Sequence, residues 1–256
     1  MNIRKLPDIN KIVIKVGTST LTYENGELNL RRIEELARVI ADIKNSGKDV
    51  ILVTSGAIGA GVGRLGLGAR PTVVKQKQAT AAVGQCQLMC IYDEFFRRYN
   101  KTAGQILLTK DVVTNEKMHE NAINTFDALL SYGVIPIVNE NDAVSTHEIL
   151  FGDNDTLSAH VASITKADLL IILTDVDGLY DENKITIHEI SEITDNIRNL
   201  VGGAGSKQGV GGMVTKLMAV EIAAEAGAKT IIMNGKQPSL IYNILEGEEI
   251  GTFFNF

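Results

Sequence analysis

The chain has 256 residues, 45% of them hydrophobic, and carries 25 Lys and Arg against 31 Asp and Glu, for a net charge of −6. That balance supports a globular core of ordinary size and argues against a general nucleic-acid binder, which carries a basic face. No apolar run has the length of a membrane span, and the polar start Met1-Asn2-Ile3-Arg4-Lys5 has no signal-peptide pattern, so no membrane and a cytoplasmic location are expected. No linker-like run separates two cores, and a single domain over residues 1–256 is expected.

Lys11 to Gly17 reads as a first strand, followed by Gly17-Thr18-Ser19-Thr20 as a turn of small donors. Lys15 is out of place in so apolar a run. It is either an edge or strand-end lysine with its head in water or a lysine aimed at phosphate from the strand's carboxyl end. A helix over 30–46 stops at Ser46-Gly47. A second strand, Val50 to Thr54, runs into Ser55-Gly56-Ala57-Ile58-Gly59-Ala60-Gly61, read as a loop whose glycines bring backbone amides close to a ligand. Gly61-Val62-Gly63-Arg64-Leu65-Gly66 spells G-x-G-x-x-G. The dinucleotide fingerprint must begin at the strand end, with an acidic residue about twenty positions on. Here several residues intervene and the next acid is Asp93, so a dinucleotide site is rejected.

Residues 73–98 predict a long helix, with Arg97 and Arg98 complementing the dipole at its end. Cys86 and Cys90, the only cysteines, lie four apart on it. Zinc would need two more ligands, so they are expected to be small packed thiols in a reducing compartment. Ala103 to Leu108 reads as a strand, 119–131 as a helix stopping near Gly133, and Val134 to Val138 as a buried strand. That strand closes in Asn139-Glu140-Asn141-Asp142-Ala143-Val144. Phe151-Gly152-Asp153-Asn154-Asp155 then opens a helix over 155–166, with Asp153 or Asn154 as its cap. Five carboxylates, Glu140, Asp142, Glu148, Asp153 and Asp155, fall within sixteen residues. They need cations from elsewhere, and Lys15 and Lys216 are the candidates.

Asp168 to Leu173 predicts another strand, running into Thr174-Asp175-Val176-Asp177-Gly178-Leu179-Tyr180, a second ligand loop at the same sheet edge. Residues 201–212 contain six glycines and predict a loop of low local stability. It leads into Met213-Val214-Thr215-Lys216 and a helix to about Ala226. A lysine at a helix start opposes the dipole, which an anion bound there would explain. Lys229 to Met233 is the last core strand. Strands alternating with helices predict an α/β fold with helices covering a mainly parallel sheet.

Several motifs fail. His147-Glu148 lacks the second histidine of H-E-x-x-H, and Asp153-Asn154-Asp155 lacks the glycine and terminal glutamate of an EF-hand. Val53 stands where a G-x-S-x-G elbow around Ser55 needs glycine. Gly211 to Lys216 is no Walker loop, because Lys216 lacks the preceding glycine and the following Ser or Thr.

What remains is a sheet edge with glycine-rich segments, two lysines far apart in sequence, and a cluster of carboxylates and amides. The stretches Lys15-Val16-Gly17-Thr18-Ser19, Val53 to Ile58, Val138 to Val144, Gly152 to Asp155, Leu173-Thr174-Asp175 with Gly178-Leu179-Tyr180, and Gly211-Gly212-Met213 with Thr215-Lys216 occur in this order over nearly the whole chain. In them the chain resembles the amino-acid kinase family, in the branch that phosphorylates free L-glutamate. The resemblance implies a three-layer α/β/α sandwich and transfer of phosphate from ATP, with Mg²⁺, to the side-chain carboxylate of L-glutamate as the first step towards proline. By that resemblance Lys15 and Lys216 sit on the transferring phosphate and Asp155 holds them. Ser55, Asn139, Asp142, Asp153 and Asn154 bind the acceptor. Thr174, Asp175 and the run Val210, Gly211, Gly212, Met213, Val214, Thr215 and Lys216, with Lys15, serve the nucleotide. The part over about 1–165 then holds mainly substrate and that over about 166–256 mainly nucleotide. Val210 and Val214 depart from the hydroxyl residues expected in the nucleotide segment. Many members of the family also carry a C-terminal RNA-binding-like PUA domain; a short form without it, natural or truncated, is expected here. The resemblance also implies a homo-oligomer, dimer or tetramer, and feedback inhibition by proline.

Acetylglutamate kinases are the nearest alternative; they must exclude a free α-ammonium, whereas the acidic patch around Asp142 suits one. Aspartokinases, carbamate kinases and UMP kinases fit less well. A binding protein that has kept the fold without catalysis would be marked by loss of a lysine, and both are present.

Overall fold

The structure is a computed structural model that describes residues 4, 6–23, 27–144, 154–202 and 210–256. The strands are β1 (Lys11–Val16), β2 (Asp49–Val53), β3 (Ala103–Leu108), β4 (Ile135–Glu140), β5 (Leu169–Thr174), β6 (Glu189–Ile190), β7 (Lys229–Asn234) and β8 (Thr252–Phe254). The helices are α1 (Thr18–Leu21), α2 (Leu30–Asn45), α3 (Ala57–Leu65), α4 (Val74–Arg98), α5 (Asp111–Thr114), α6 (Glu116–Ser131), α7 (Asn154–Thr165), α8 (Asp195–Gly202), α9 (Val210–Glu225) and α10 (Leu240–Leu245). The strands form one sheet in the order β3-β4-β2-β1-β5-β7-β8-β6. All neighbours are parallel except β7 and β8, so the antiparallel pair is confined to one side.

Side chains alternate across the sheet, and the alternation sorts the core into two layers. Ile12, Ile14 and Val16 of β1, with Val50 and Leu52 of β2 and Leu169, Ile171 and Leu173 of β5, pack against α2, α4 and α10. Val13, Ile51, Val53, Leu170 and Ile172 pack the other way, against α6, α7 and α9. Helices cover both faces, which is the expected three-layer α/β/α sandwich. The same period assigns the polar exceptions. Lys15 shares its face with Val13 and is aimed at α7 and α9. Asn139 shares its face with Ile135 and Ile137 and is aimed at α4.

Most predicted elements stand within a few residues of their expected bounds, and four expectations change. Gly17 to Thr20 is not a turn: Gly17 caps the single helical turn α1. The run from Ala57 is not a glycine loop but helix α3, and Gly61 to Leu65 lie inside it. Gly56 takes φ 100°, the left-handed conformation that lets the chain turn from β2 into α3. Cys86 and Cys90 are exposed rather than packed, because the buried stripe of α4 runs through Ala81, Gly84, Gln85, Leu88 and Tyr92 instead. Lys216 stands two turns into α9, not at a helix start, so the dipole does not explain it. Among the described residues, α5, α8, α10, β6 and β8 are too short or too weakly patterned to have been read from the sequence.

Candidate active site

All six strands from β3 to β7 in sheet order run parallel, so their carboxyl ends share one edge. Chain direction reverses its path across the sheet at β1, which sends the chain first towards β2 and later to β5 on the other side. A crevice opens outside such a switch point. Lys15 and Gly17, Ser55, Asn139 to Asp142, and Thr174 with Asp175 all come to this edge.

Lys15 is 2% exposed in a central strand, which excludes an edge lysine with its head in water. Its Nζ lies 2.6 Å from Oδ1 of Asp155, in the first turn of α7. Lys216 Nζ donates to the other oxygen, Oδ2, at 2.9 Å, and also to the Gly212 carbonyl at 3.2 Å. Thr215 Oγ1 donates to Asp155 Oδ2 at 3.3 Å. Three elements far apart in sequence therefore meet on one carboxylate that has no exposed surface. Burial pushes the Asp155 carboxyl up, but Lys15 and Lys216 outweigh it and hold it below the ordinary carboxylate value. The three groups sum to one positive charge in a low-dielectric setting, which favours an anion beside them.

Beside this cluster lies a cavity of about 750 Å³ whose lining includes Thr18, Ser55, Asn139, Asp142 and Asn154. Its amides are linked. Asn154 Nδ2 reaches the Thr54 carbonyl at 2.7 Å, Ser55 Oγ at 2.9 Å and Asn139 Oδ1 at 2.9 Å. Asn139 Nδ2 donates to Gln85 Oε1 of α4 at 2.9 Å. The start of α3, from Gly56 to Gly59, forms another wall, and Glu27, Arg70 and Lys77 line the rim. Sequence reasoning missed Gln85, Glu27, Arg70 and Lys77. Gln85 is a polar side chain on the buried stripe of α4, which only the packing of that helix reveals. The other three are ordinary surface charges until the fold brings them to the cavity.

Thr174 ends β5 buried, with Oγ1 donating to Asp175 Oδ1 at 3.1 Å, while Asp175 itself is exposed. Asn234, paired with Thr174 across β5 and β7, donates to Asp177 Oδ1 at 2.8 Å and ties the loop after β5 to the end of β7. Val210 to Lys216 form the first two turns of α9 rather than a loop. In them Gly212 has open space where a side chain would go, and Val214 is 37% exposed. The side chain of Val210 and the surroundings of Gly211 lie outside the described residues, as do Asp153, the pair His147-Glu148 and most of the glycine-rich run before α9. Among the described residues no three His, Cys, Asp or Glu side chains cluster to hold a metal ion, and no helix is long and apolar enough to cross a membrane.

A family model described as the amino acid kinase family matches residues 10–234. A glutamate 5-kinase of Clostridium perfringens (strain 13 / Type A) is 55% identical over 261 residues, covering 98% of this chain and 97% of the relative. One of Clostridium acetobutylicum is 52% identical, covering 99% of this chain and 98% of its own length. One of Listeria monocytogenes serotype 4a (strain HCC23) is 52% identical, covering 97% of this chain and 94% of its own.

Proposed function

The chain belongs to the amino acid kinase family, and from that premise we propose that it phosphorylates the side-chain carboxylate of L-glutamate with ATP, giving L-glutamyl 5-phosphate, the first step of proline biosynthesis. The observation that carries this reading is the pair of buried ammonium groups, Lys15 and Lys216, held on the two oxygens of Asp155 next to a cavity lined by amides and carboxylates.

The residue types suit the reaction. A glutamate side chain has an ordinary pKa of about 4.3, so the nucleophile is already ionised and needs no general base. Asp155 is unsuited to that role in any case, since both its oxygens are taken by lysines. The difficulty is bringing one anion to another, and catalysis then consists of positioning and charge neutralisation. Lys15, on a central strand, and Lys216, on α9, neutralise charge on the transferring group from two sides. Asp155 keeps the two ammonium groups from repelling each other apart. Ser55, Asn139, Asp142 and Asn154 take the acceptor, with Asp142 suited to its α-ammonium; Asp153 belongs to the same proposal. Thr174, Asp175 and the start of α9, from Val210 to Lys216, serve the nucleotide. Residues up to about 165 thus hold mainly the acceptor and those after it mainly the nucleotide. Mg²⁺ is proposed as an ion carried on the nucleotide's phosphates, whose oxygens suit so hard a cation.

Proline carries an α-carboxylate and a cationic α-amine, secondary where that of glutamate is primary, which supports competition at the acceptor cavity. Membership of the family supports a homo-oligomer, dimer or tetramer, and the use of ATP supports a cytoplasmic location. The test is ADP release with ATP and Mg²⁺, offering L-glutamate, N-acetyl-L-glutamate, L-aspartate and UMP separately. Release with L-glutamate alone, slowed by proline, is expected. Release with N-acetyl-L-glutamate instead would overturn the acceptor and the role of Asp142.

A further inference from the structure

We propose that Gln85 is a positioning residue for the acceptor: through Asn139 it holds the Asn154 amide with its carbonyl oxygen, not its NH₂, presented to the cavity, ready for an α-ammonium group. This rests on the reading of the site as a glutamate phosphotransferase.

The orientation of each amide follows from a group that has only one role. The backbone N–H of Glu140 can only donate, and it meets Asn139 Oδ1 at 2.9 Å. The Asn139 nitrogen therefore lies on the opposite side, facing α4. An NH₂ group needs an acceptor, and Gln85 supplies Oε1 at 2.9 Å. At the other end, the Thr54 carbonyl can only accept, so the atom of Asn154 beside it at 2.7 Å is Nδ2. Asn139 Oδ1 takes the same nitrogen at 2.9 Å. With the nitrogen spent on the protein, Asn154 Oδ1 is left as an acceptor on a residue that lines the cavity. An acceptor in a cavity that Asp142 also lines suits a cationic amine.

An independent observation points the same way. Gln85 is only 9% exposed, and its Nε2 has no hydrogen-bond partner among the described residues. A buried donor left unmade costs free energy. The neighbours of Gln85 along the buried stripe, Ala81, Gly84 and Leu88, are apolar or lack a side chain, and an apolar residue here would carry no orphan. The chain bears that cost where the other end of the same amide supports Asn139. Without Oε1, the buried Asn139 nitrogen loses its acceptor. Rotating the Asn139 amide by half a turn would set its nitrogen against two donors, Glu140 N–H and Asn154 Nδ2. The pair would therefore loosen rather than flip into a second stable arrangement.

The test is steady-state kinetics of the full chain with L-glutamate and ATP for Gln85→Met, which keeps the length but removes the acceptor, and Gln85→Glu, which keeps it. Gln85→Met should raise KM for L-glutamate about tenfold or more, with kcat within about threefold and KM for ATP unchanged. Gln85→Glu should remain within about threefold of the wild type in all three. In an Asn139→Ala background, Gln85→Met should add less than about twofold, because the relay is already broken. A normal KM in Gln85→Met, an equal rise in Gln85→Glu, or effects that multiply with Asn139→Ala would overturn the proposal. If Gln85→Met loses its cooperative thermal transition, Gln85→Asn, which withdraws the acceptor by one methylene, takes its place. It must raise KM where Gln85→Glu does not. A wild type that does not turn over L-glutamate would overturn the functional reading itself; a wild type that does, with Gln85→Met unchanged, overturns the relay alone.

Discussion

Asp155 has no exposed surface and lies between two ammonium groups, so what it contributes depends on its being ionised. Burial opposes ionisation and the two lysines more than restore it, leaving its folded-state pKa below the unfolded value. The sign follows: the unfolded chain takes up this proton first as pH falls. The stability from Asp155 is therefore complete above its unfolded pKa of about 3.9 and is lost as pH drops through the lower folded value. Asp155→Asn should cost about 3–5 kcal/mol, since two buried ammonium groups lose their counter-charge. A thermal melt checks this, and a Tm near that of the wild type would refute the pairing. Lys216→Ala differs, because Asp155 keeps Lys15. The fold should survive while kcat falls by roughly two orders of magnitude or more. Near-normal turnover would remove Lys216 from the chemistry. His160 gives a second pH window. It sits on α7 beside Lys110, Val112, Glu140 and Leu157, and burial lowers its pKa below the ordinary 6.5. The folded state thus prefers the neutral ring, and stability is lost as pH falls from about 6.5 towards the lowered value. Urea midpoints between pH 7 and 5 should show that slope in the wild type and a flatter one in His160→Gln.

At the scale of elements, the acceptor cavity depends on how α3 lies on α4. The glycines between 56 and 61 suggested a ligand loop, but Gly61 of α3, like Gly84 of α4, serves helix packing. A Cβ at Gly84 would lie 1.7 Å from the Ala57 carbonyl oxygen, and one at Gly61 would lie 2.0 Å from that of Thr80. Both obstacles are backbone, so a methyl group cannot be absorbed by a rotamer change. The helices must separate, and α3 carries Ala57, Ile58 and Gly59 of the cavity wall on its first turn. Gly84→Ala should destabilise by about 1–3 kcal/mol and raise KM for the acceptor more than that for ATP. Unchanged kinetics and Tm would show that the two helices tolerate separation. The rejected G-x-G-x-x-G run has its physical explanation here as well. A dinucleotide fingerprint needs its glycines at the turn from strand to helix, and here they lie within α3 and at its end.

On the scale of the whole molecule, the start of the chain closes its last strands. Arg4 is 6% exposed. Its guanidinium donates to the Ile250 carbonyl at 3.2 Å and the His188 carbonyl at 2.9 Å, and stands 5.0 Å from the centre of the Phe253 ring. Its backbone N–H donates to the Gly247 carbonyl at 2.6 Å. These contacts hold the β6–β8 side of the sheet, which is remote from the Lys15, Asp155 and Lys216 cluster. Arg4→Ala should lower Tm, by the loss of about 2–3 kcal/mol of charged hydrogen bonds and ring contact, and leave kcat and both KM values unchanged. A change in kcat without a change in Tm would connect that edge to the site.

The sequence alone determined the fold class, because short continuous apolar runs alternating with helical stretches admit little besides a parallel sheet covered on both faces. It also marked Lys15, since a charge inside an apolar run is legible wherever the strand lies. It also offered Lys15 and Lys216 as the cations for the acidic segment, while the choice of Asp155 as the residue that holds them came from the resemblance. Only the tertiary structure decided that these groups share one carboxylate, because strand order and the face each side chain takes depend on pairing between residues far apart. It alone decided that Lys216 answers Asp155 rather than a helix dipole, and that the glycines from 57 to 65 belong to a helix. The same holds for the cysteines, whose exposure follows from which stripe of α4 faces the sheet. Gln85 is the sharpest case. Its place on the buried stripe was decided with that of the cysteines, and its meaning was hidden because the partner it positions stands 54 residues away on β4.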